Sequence, residues 1–260
     1  MMGRHHALLG AVIWTGPAIE IMGRTHLGEI VASTAVCGAA AMLPDIDEPG
    51  STVAHVLEPF SGMVSQLTNE LCGGHRKASH SLIAVALFGG LGWGLSLNPI
   101  ATAIGFGVLI LLAFRAFAPI GFRHGLIATS VAVASGFAVA YGKLDVAWFP
   151  LALMVGYAIH LLGDILTSGG VPLFWPWKKR IALPILSHTN SGREMVFSIL
   201  LWVVFVGIVF VSGVWKDVHI GQITHQVDHT VGHVKSLVTH QVHHSVGHVA
   251  NVISKGENHE

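Results

Sequence analysis

The chain has 260 residues, of which 52% are apolar and only 11% charged, against roughly 25% charged in an ordinary soluble domain. So few charges cannot cover a water-facing surface, and the composition calls for a membrane. Lys and Arg balance Asp and Glu at 14 each, so the large basic face that nucleic-acid binding needs is not indicated.

The first apolar stretch, 7–22, follows Arg4 and is interrupted by Pro17 and Glu20. No small-residue cleavage site follows cleanly, so it reads as a weak span or an interfacial segment rather than a signal peptide. Residues 27–43 are nearly free of charge after Glu29. Clearer spans follow at 80–97, 99–119, 124–141, 146–167 and 195–215, each near the roughly 20 residues that a crossing helix needs. The expected fold is all-α: a polytopic membrane helical bundle of six or seven spans over 1–217, with the tail 218–260 apart from it.

Two polar loops, 44–79 and 168–194, interrupt the spans. Pro44 and Pro49 stop the helix before the first loop and fix an extended turn. The second carries Phe174-Trp175-Pro176-Trp177 and then Lys178-Lys179-Arg180, the pattern of an interfacial anchor beside a basic cluster. If the loops share a side, that side holds Arg4, Arg76, Lys77, Arg123, Lys178, Lys179, Arg180 and Arg193, against Arg24, Lys143 and Lys216 opposite. The positive-inside bias then makes both loops cytoplasmic. Cys37 and Cys72 suggest neither a disulfide framework nor a thiolate metal site.

The tail repeats a 15-residue unit, with His225, His229 and His233 recurring as His240, His244 and His248. Valines at steps of three or four run beside the histidines, as in an amphipathic helix. Its glycines and β-branched residues lower helix propensity, so a surface or partner is needed to hold it. The tail reads as lying on the membrane, self-associating, or collecting metal through its paired histidines.

The 18 histidines are the compositional anomaly, because imidazole serves as metal ligand or proton switch. Three short patterns carry chemistry. Asp45-Ile46-Asp47 sits just after a span, His75-Arg76-Lys77-Ala78-Ser79-His80 just before one, and His160 and Asp164 four apart inside one. Taken singly, these have plain readings: an acidic turn, a basic juxtamembrane segment and a structural His–Asp hydrogen bond. Taken with the orientation from Lys and Arg, they fall at one interface, joined by His6 and Glu194 if the first segment spans. Ionisable groups inside a span are costly and mark function or pairing. Mixed imidazole and carboxylate donors suit Zn²⁺, with Mn²⁺ or Fe²⁺ open, and the surplus of ligands allows one or two ions.

At these residues the chain resembles the YdjM-like family of bacterial inner-membrane proteins inferred to be metal-dependent hydrolases. The resemblance rests on Leu43-Pro44-Asp45-Ile46-Asp47 with Ser51, on His75-Arg76 with Ser79-His80-Ser81-Leu82, and on Gly156-Tyr157 through His160, Asp164 and Leu166-Thr167. It continues through Gly170-Val171-Pro172-Leu173-Phe174-Trp175-Pro176 and Arg180 to Leu183-Pro184-Ile185-Leu186. His6 matches an early family histidine and Glu194 a late acidic position. Ser79 stands where the family usually has Thr, and the tail has no counterpart in the family pattern.

The expected ligands are His6, Asp45, Asp47, His75, His80, His160 and Asp164, and the expected catalytic groups Asp47, His80, Arg76 and Glu194. Arg76 and Glu194 are assigned to support ligands or touch substrate. The leading expectation is an inner-membrane hydrolase of a phosphoester, on an amphiphilic or lipid-linked substrate drawn from the bilayer. The alternatives are a divalent-metal transporter or sensor, and a membrane protein whose metal site is purely structural.

Overall fold

The computed structural model describes residues 2–117, 122–186 and 191–214, with the side chains of 122–124 left aside. The repeat-bearing tail, and with it every reading of its histidines, lies outside the described residues. Those residues form an all-helical protein. Its helices are α1 (Gly3–Met22), α2 (Leu27–Ala40), α3 (Phe60–Cys72), α4 (Leu82–Ser96), α5 (Pro99–Phe117), α6 (Phe122–Ala140), α7 (Phe149–Ile165) and α8 (Gly192–Ser212). Two short 310 turns, Leu43–Asp47 and Ala78–His80, lead out of α2 and into α4. Among the described residues there is no strand, only isolated bridges pairing Thr167 with Leu186 and Val171 with Ile181.

Local sequence explains most ends. Ser81 and Ser191 cap α4 and α8 by accepting from the backbone N–H three residues on, and the Asn98 side chain does the same for α5. Gly23 and Gly213, both at positive φ, close α1 and α8. The weak first segment is a full 20-residue helix that runs through Pro17. Pro17 is exposed, so its ring and the backbone acceptor it frees stay off the helix contacts.

Three helical stretches, Leu27–Asp47, Pro99–Phe117 and Gly192–Ser212, are long and apolar enough to cross a membrane. Leu82–Ser96, Gly125–Ala140 and Phe149–Ile165 are shorter apolar helices. The outward faces are apolar too: Leu91, Trp93, Ile104, Phe137, Val203 and Phe210 are all exposed. That pattern suits lipid and would be a liability in water.

Small residues let the helices meet closely, as membrane bundles require. Along the antiparallel α1–α2 pair, Gly10 packs on Cys37 and Gly38, and Gly38 on the Ala7 carbonyl. Gly89 and Gly92 of α4 face Met154 and Leu153 of α7. In the α5–α6 hairpin, Gly107 meets the Ala132 carbonyl and Gly136 the Ala103 carbonyl. Gly156 of α7 lies directly on the Cys37 carbonyl and Ala40 of α2.

The structure departs from the expected loop at 44–79, which contains the 13-residue helix α3. Gly73, in the left-handed region, ends it, with the N–H of Gly74 returning to Asn69. The expected extended turn at Asp45-Ile46-Asp47 is instead a 310 turn opened by Pro44.

A candidate metal centre at one end of the bundle

His6 enters the site from the first turns of α1, and Asp45 and Asp47 from the 310 turn that prolongs α2. His75 and His80 come from the chain leading into α4, and His160 and Asp164 from the last turns of α7. Two groups of these side chains could hold a metal ion: Asp45, Asp47, His75 and His80, and His6, His160 and Asp164. All seven expected ligands therefore gather at one end of the bundle. His6, Asp47, His80, His160 and Asp164 are fully buried.

The two groups meet. His80 Nε2 and His160 Nε2 are 3.1 Å apart. Asp45 Oδ1 lies 3.8 and 3.6 Å from these two nitrogens, and Asp164 Oδ2 lies 3.7 and 3.8 Å from them. A tetrahedron drawn around an ion with bonds of about 2.0–2.1 Å has edges of roughly 3.3–3.4 Å. The His80–His160 distance and the four nitrogen–oxygen distances are each within about 0.5 Å of such an edge.

Hydrogen bonds on the far side of each ring fix which nitrogen can donate a lone pair. His160 Nδ1 is 2.8 Å from the Ala41 carbonyl, which only accepts, so the ring proton belongs on Nδ1. His80 Nδ1 lies 3.1 Å from Ser79 Oγ and 3.3 Å from Asp47 Oδ2, and Ser79 Oγ donates to Asp47 Oδ2. In neutral rings both Nε2 lone pairs then face each other and two carboxylates, an arrangement that needs a cation. Orienting metal-binding imidazoles through their second nitrogen is a general feature of such sites.

Asp47 is differently employed. Its Oδ1 is 2.7 Å from His75 Nδ1, and its Oδ2 accepts the Arg76 backbone N–H at 3.0 Å as well as Ser79. The Asn69 side chain donates to its carbonyl oxygen. Arg76 sits at φ 57, a left-handed conformation costly for a non-glycine residue. There its Nη2 donates to Asp164 Oδ1 at 2.8 Å, with Nε 2.8 Å from Asp164 Oδ2. This hydrogen bond and the ion pair beside it hold the Asp164 carboxylate in place. The Tyr157 hydroxyl donates to the Ser79 carbonyl at 2.7 Å, locking the loop from α7.

Among the described residues, Asp45, Asp47 and Asp164 carry three negative charges against the guanidinium of Arg76, leaving two uncompensated if the imidazoles are neutral. Burying unpaired charge is expensive. One divalent cation balances the group. His80, which precedes the first turn of α4, would have its pKa lowered by burial, but the nearby carboxylates of Asp45 and Asp47 outweigh this and hold it up at about 9. A proton on His80 and a metal ion would therefore compete for the same lone pair.

Glu194 is not part of this group. Its Oε1 pairs with His5 Nδ1 at 2.6 Å and accepts from the Met2 backbone N–H at 2.7 Å, so it ties the start of α8 to the start of α1. His6 stacks on His160 with ring centroids 3.8 Å apart, and its Nε2 lies 3.4 Å from Asp164 Oδ1. Sequence reasoning missed His5, Asn69 and Tyr157. Tyr157 stood inside the resemblance at Gly156-Tyr157 without a role, and the adjacent His5-His6 pair was a further signal, since neighbours on a helix point about 100° apart and one of them had to face elsewhere.

Fold and site together define an all-helical membrane protein with buried His/Asp groups that could hold a metal ion. The chain belongs to the YdjM inner membrane protein family, whose family model matches residues 1–219. It is similar to the inner membrane protein YdjM of Escherichia coli (strain K12) and to that of Shigella flexneri. Each is 35% identical over 100 residues, covering 35% of this chain and 49% of the relative. The chain thus spans about half the length of the curated relatives it matches. No solved structure matches it.

Proposed function

We propose that this chain is a metal-dependent hydrolase of the inner membrane, with one divalent ion held by Asp45, His80, His160 and Asp164. The observation that carries the reading is that two Nε2 atoms 3.1 Å apart each have a carboxylate oxygen of Asp45 and one of Asp164 at 3.6–3.8 Å. Two imidazoles and two carboxylates favour Zn²⁺, with Mn²⁺ or Fe²⁺ as the alternatives. The proposal is for one ion, because Asp47 Oδ2 accepts two hydrogen bonds and its Oδ1 faces His75 Nδ1.

A divalent ion at such a centre supplies Lewis acidity and a water nucleophile at neutral pH. The protein's own groups have separable tasks. His160 and His80 are held by Ala41 and by Ser79 with Asp47. Arg76 fixes Asp164 while adding positive charge beside it. Arg180 reaches over the same loop, donating to the Gly169 and Arg76 carbonyls, and its exposed guanidinium is suited to an incoming phosphoester. The site's place at one end of apolar helices favours an amphiphilic substrate, and the Lys and Arg bias of the loops favours the cytoplasmic face.

The transporter reading is weaker, because both ligand groups found among the described residues lie at this one end. The test is metal analysis of the purified protein together with a screen of phosphodiester and phospholipid hydrolysis. About one ion per chain and turnover lost in H160A support the proposal. Bound metal with no turnover on any substrate would reassign the site to structure.

A further inference from the structure

Helix α3 is built inside out for water. Its buried positions are Ser61 and Ser65, while Phe60 is 74% exposed, Met63 65%, Leu67 55% and Leu71 78%. With Leu57 before it, Phe60, Val64, Leu67 and Leu71 follow steps of three and four, which is one continuous apolar stripe on a helix. The opposite face turns to the metal centre, where Asn69 Nδ2 donates to the Asp47 carbonyl at 2.6 Å. At 13 residues the helix is about 20 Å long, too short to cross a hydrocarbon core of about 30 Å.

The stripe begins beside the spanning helices. Exposed Leu57 lines a groove with Ile104, Val108 and Leu111 of α5 and Val133 of α6, and α5 is long and apolar enough to cross the membrane. The stripe therefore continues the outer apolar surface of a spanning helix. It holds no polar side chain that would set the register of a protein–protein contact.

We propose that α3 lies in the membrane interface, with its apolar stripe in the boundary between headgroups and acyl chains and its polar face on the metal centre. Short amphipathic helices bind bilayers in this way. Asn69 then joins a lipid-embedded helix to the turn that carries Asp45 and Asp47, and sets the site at headgroup depth. The inference rests on the membrane location of the family and not on hydrolysis, so it stands or falls separately from the catalytic reading.

The experiment uses the full chain with Cys72→Ser, reconstituted in phosphatidylethanolamine and phosphatidylglycerol vesicles. A cysteine added at Leu67, Leu71 or Gln66 carries an environment-sensitive fluorophore, the remaining Cys37 being fully buried; all three positions are exposed, so the label displaces no buried side chain. The expected result is a blue-shifted emission at 67 and 71, quenched several-fold more by brominated acyl chains than by aqueous iodide, with the reverse at 66. Equal iodide quenching at all three sites would overturn the proposal. Protection at 67 and 71 that disappears as protein is diluted in lipid would also overturn it, in favour of a contact between copies of the chain.

Discussion

Helices α1, α2, α4 and α7 and the hairpin α5–α6 are assembled by the same chemistry, glycines seated on neighbouring backbone, yet only the first group carries the site. In α5–α6, the close contacts Gly107–Ala132 and Gly136–Ala103 serve the hairpin itself. In the α2–α7 contact, Gly156 lies against Cys37 and Ala40, and one turn later His160 reaches the Ala41 carbonyl. The same close approach that packs the helices aims the imidazole. Packing and ligand geometry are separable in one region and inseparable in the other.

Gly156→Val should therefore give the largest effect. An added side chain would overlap the α2 backbone, pushing α7 away and breaking the His160–Ala41 bond. Both thermal stability and metal content are expected to collapse, by differential scanning fluorimetry and elemental analysis. Gly136→Ala in the hairpin should cost about 1–3 kcal/mol, as modest overpacking does, and keep full metal content. Equal metal loss in the two variants would erase the comparison.

Asp45→Ala comes next. It removes one corner of the donor set and one uncompensated charge, so bound metal should be lost while helicity by circular dichroism is retained. Full stoichiometric metal in this variant would remove Asp45 from the ligand set. Asp47→Asn should act more mildly, because Asp47 holds His80 and the loop rather than facing the ion. Loss of an orienting partner costs about 10–100-fold in affinity, and excess metal should restore full occupancy. If titration shows no recovery, Asp47 is itself a ligand.

The smallest expected signal is protonic. His80, held up at about 9 by the carboxylates beside it, carries a proton at pH 7–8 that metal must displace. Metal binding in weak buffer should release protons, and affinity should fall as the pH is lowered. A pH-independent affinity across that range would contradict the assignment of His80.

The membrane character, the all-α class and the meeting of distant motifs were legible in the sequence. They follow from local quantities: runs of apolar residues near membrane length, and a four-residue spacing that puts His160 and Asp164 on one helix face. The orientation drawn from Lys and Arg gathered His6, Asp45, Asp47, His75 and His80 to the same end without using any contact. Helix α3 escaped notice because Ser61, Gly62 and Ser65 dilute its apolar stripe below a spanning signal.

Tertiary structure alone decided the roles within the gathered set. Asp45 and Asp47 are equivalent in composition and two residues apart, and only contacts with residues far along the chain separate a carboxylate facing the donor group from one saturated by His75, Ser79 and the Arg76 N–H. Glu194 likewise pairs with His5, 189 residues away, rather than joining the ligands. A sequence fixes which groups the chain owns and how often they recur. Which lone pair faces an ion depends on hydrogen bonds made across the fold, and those carry no local period.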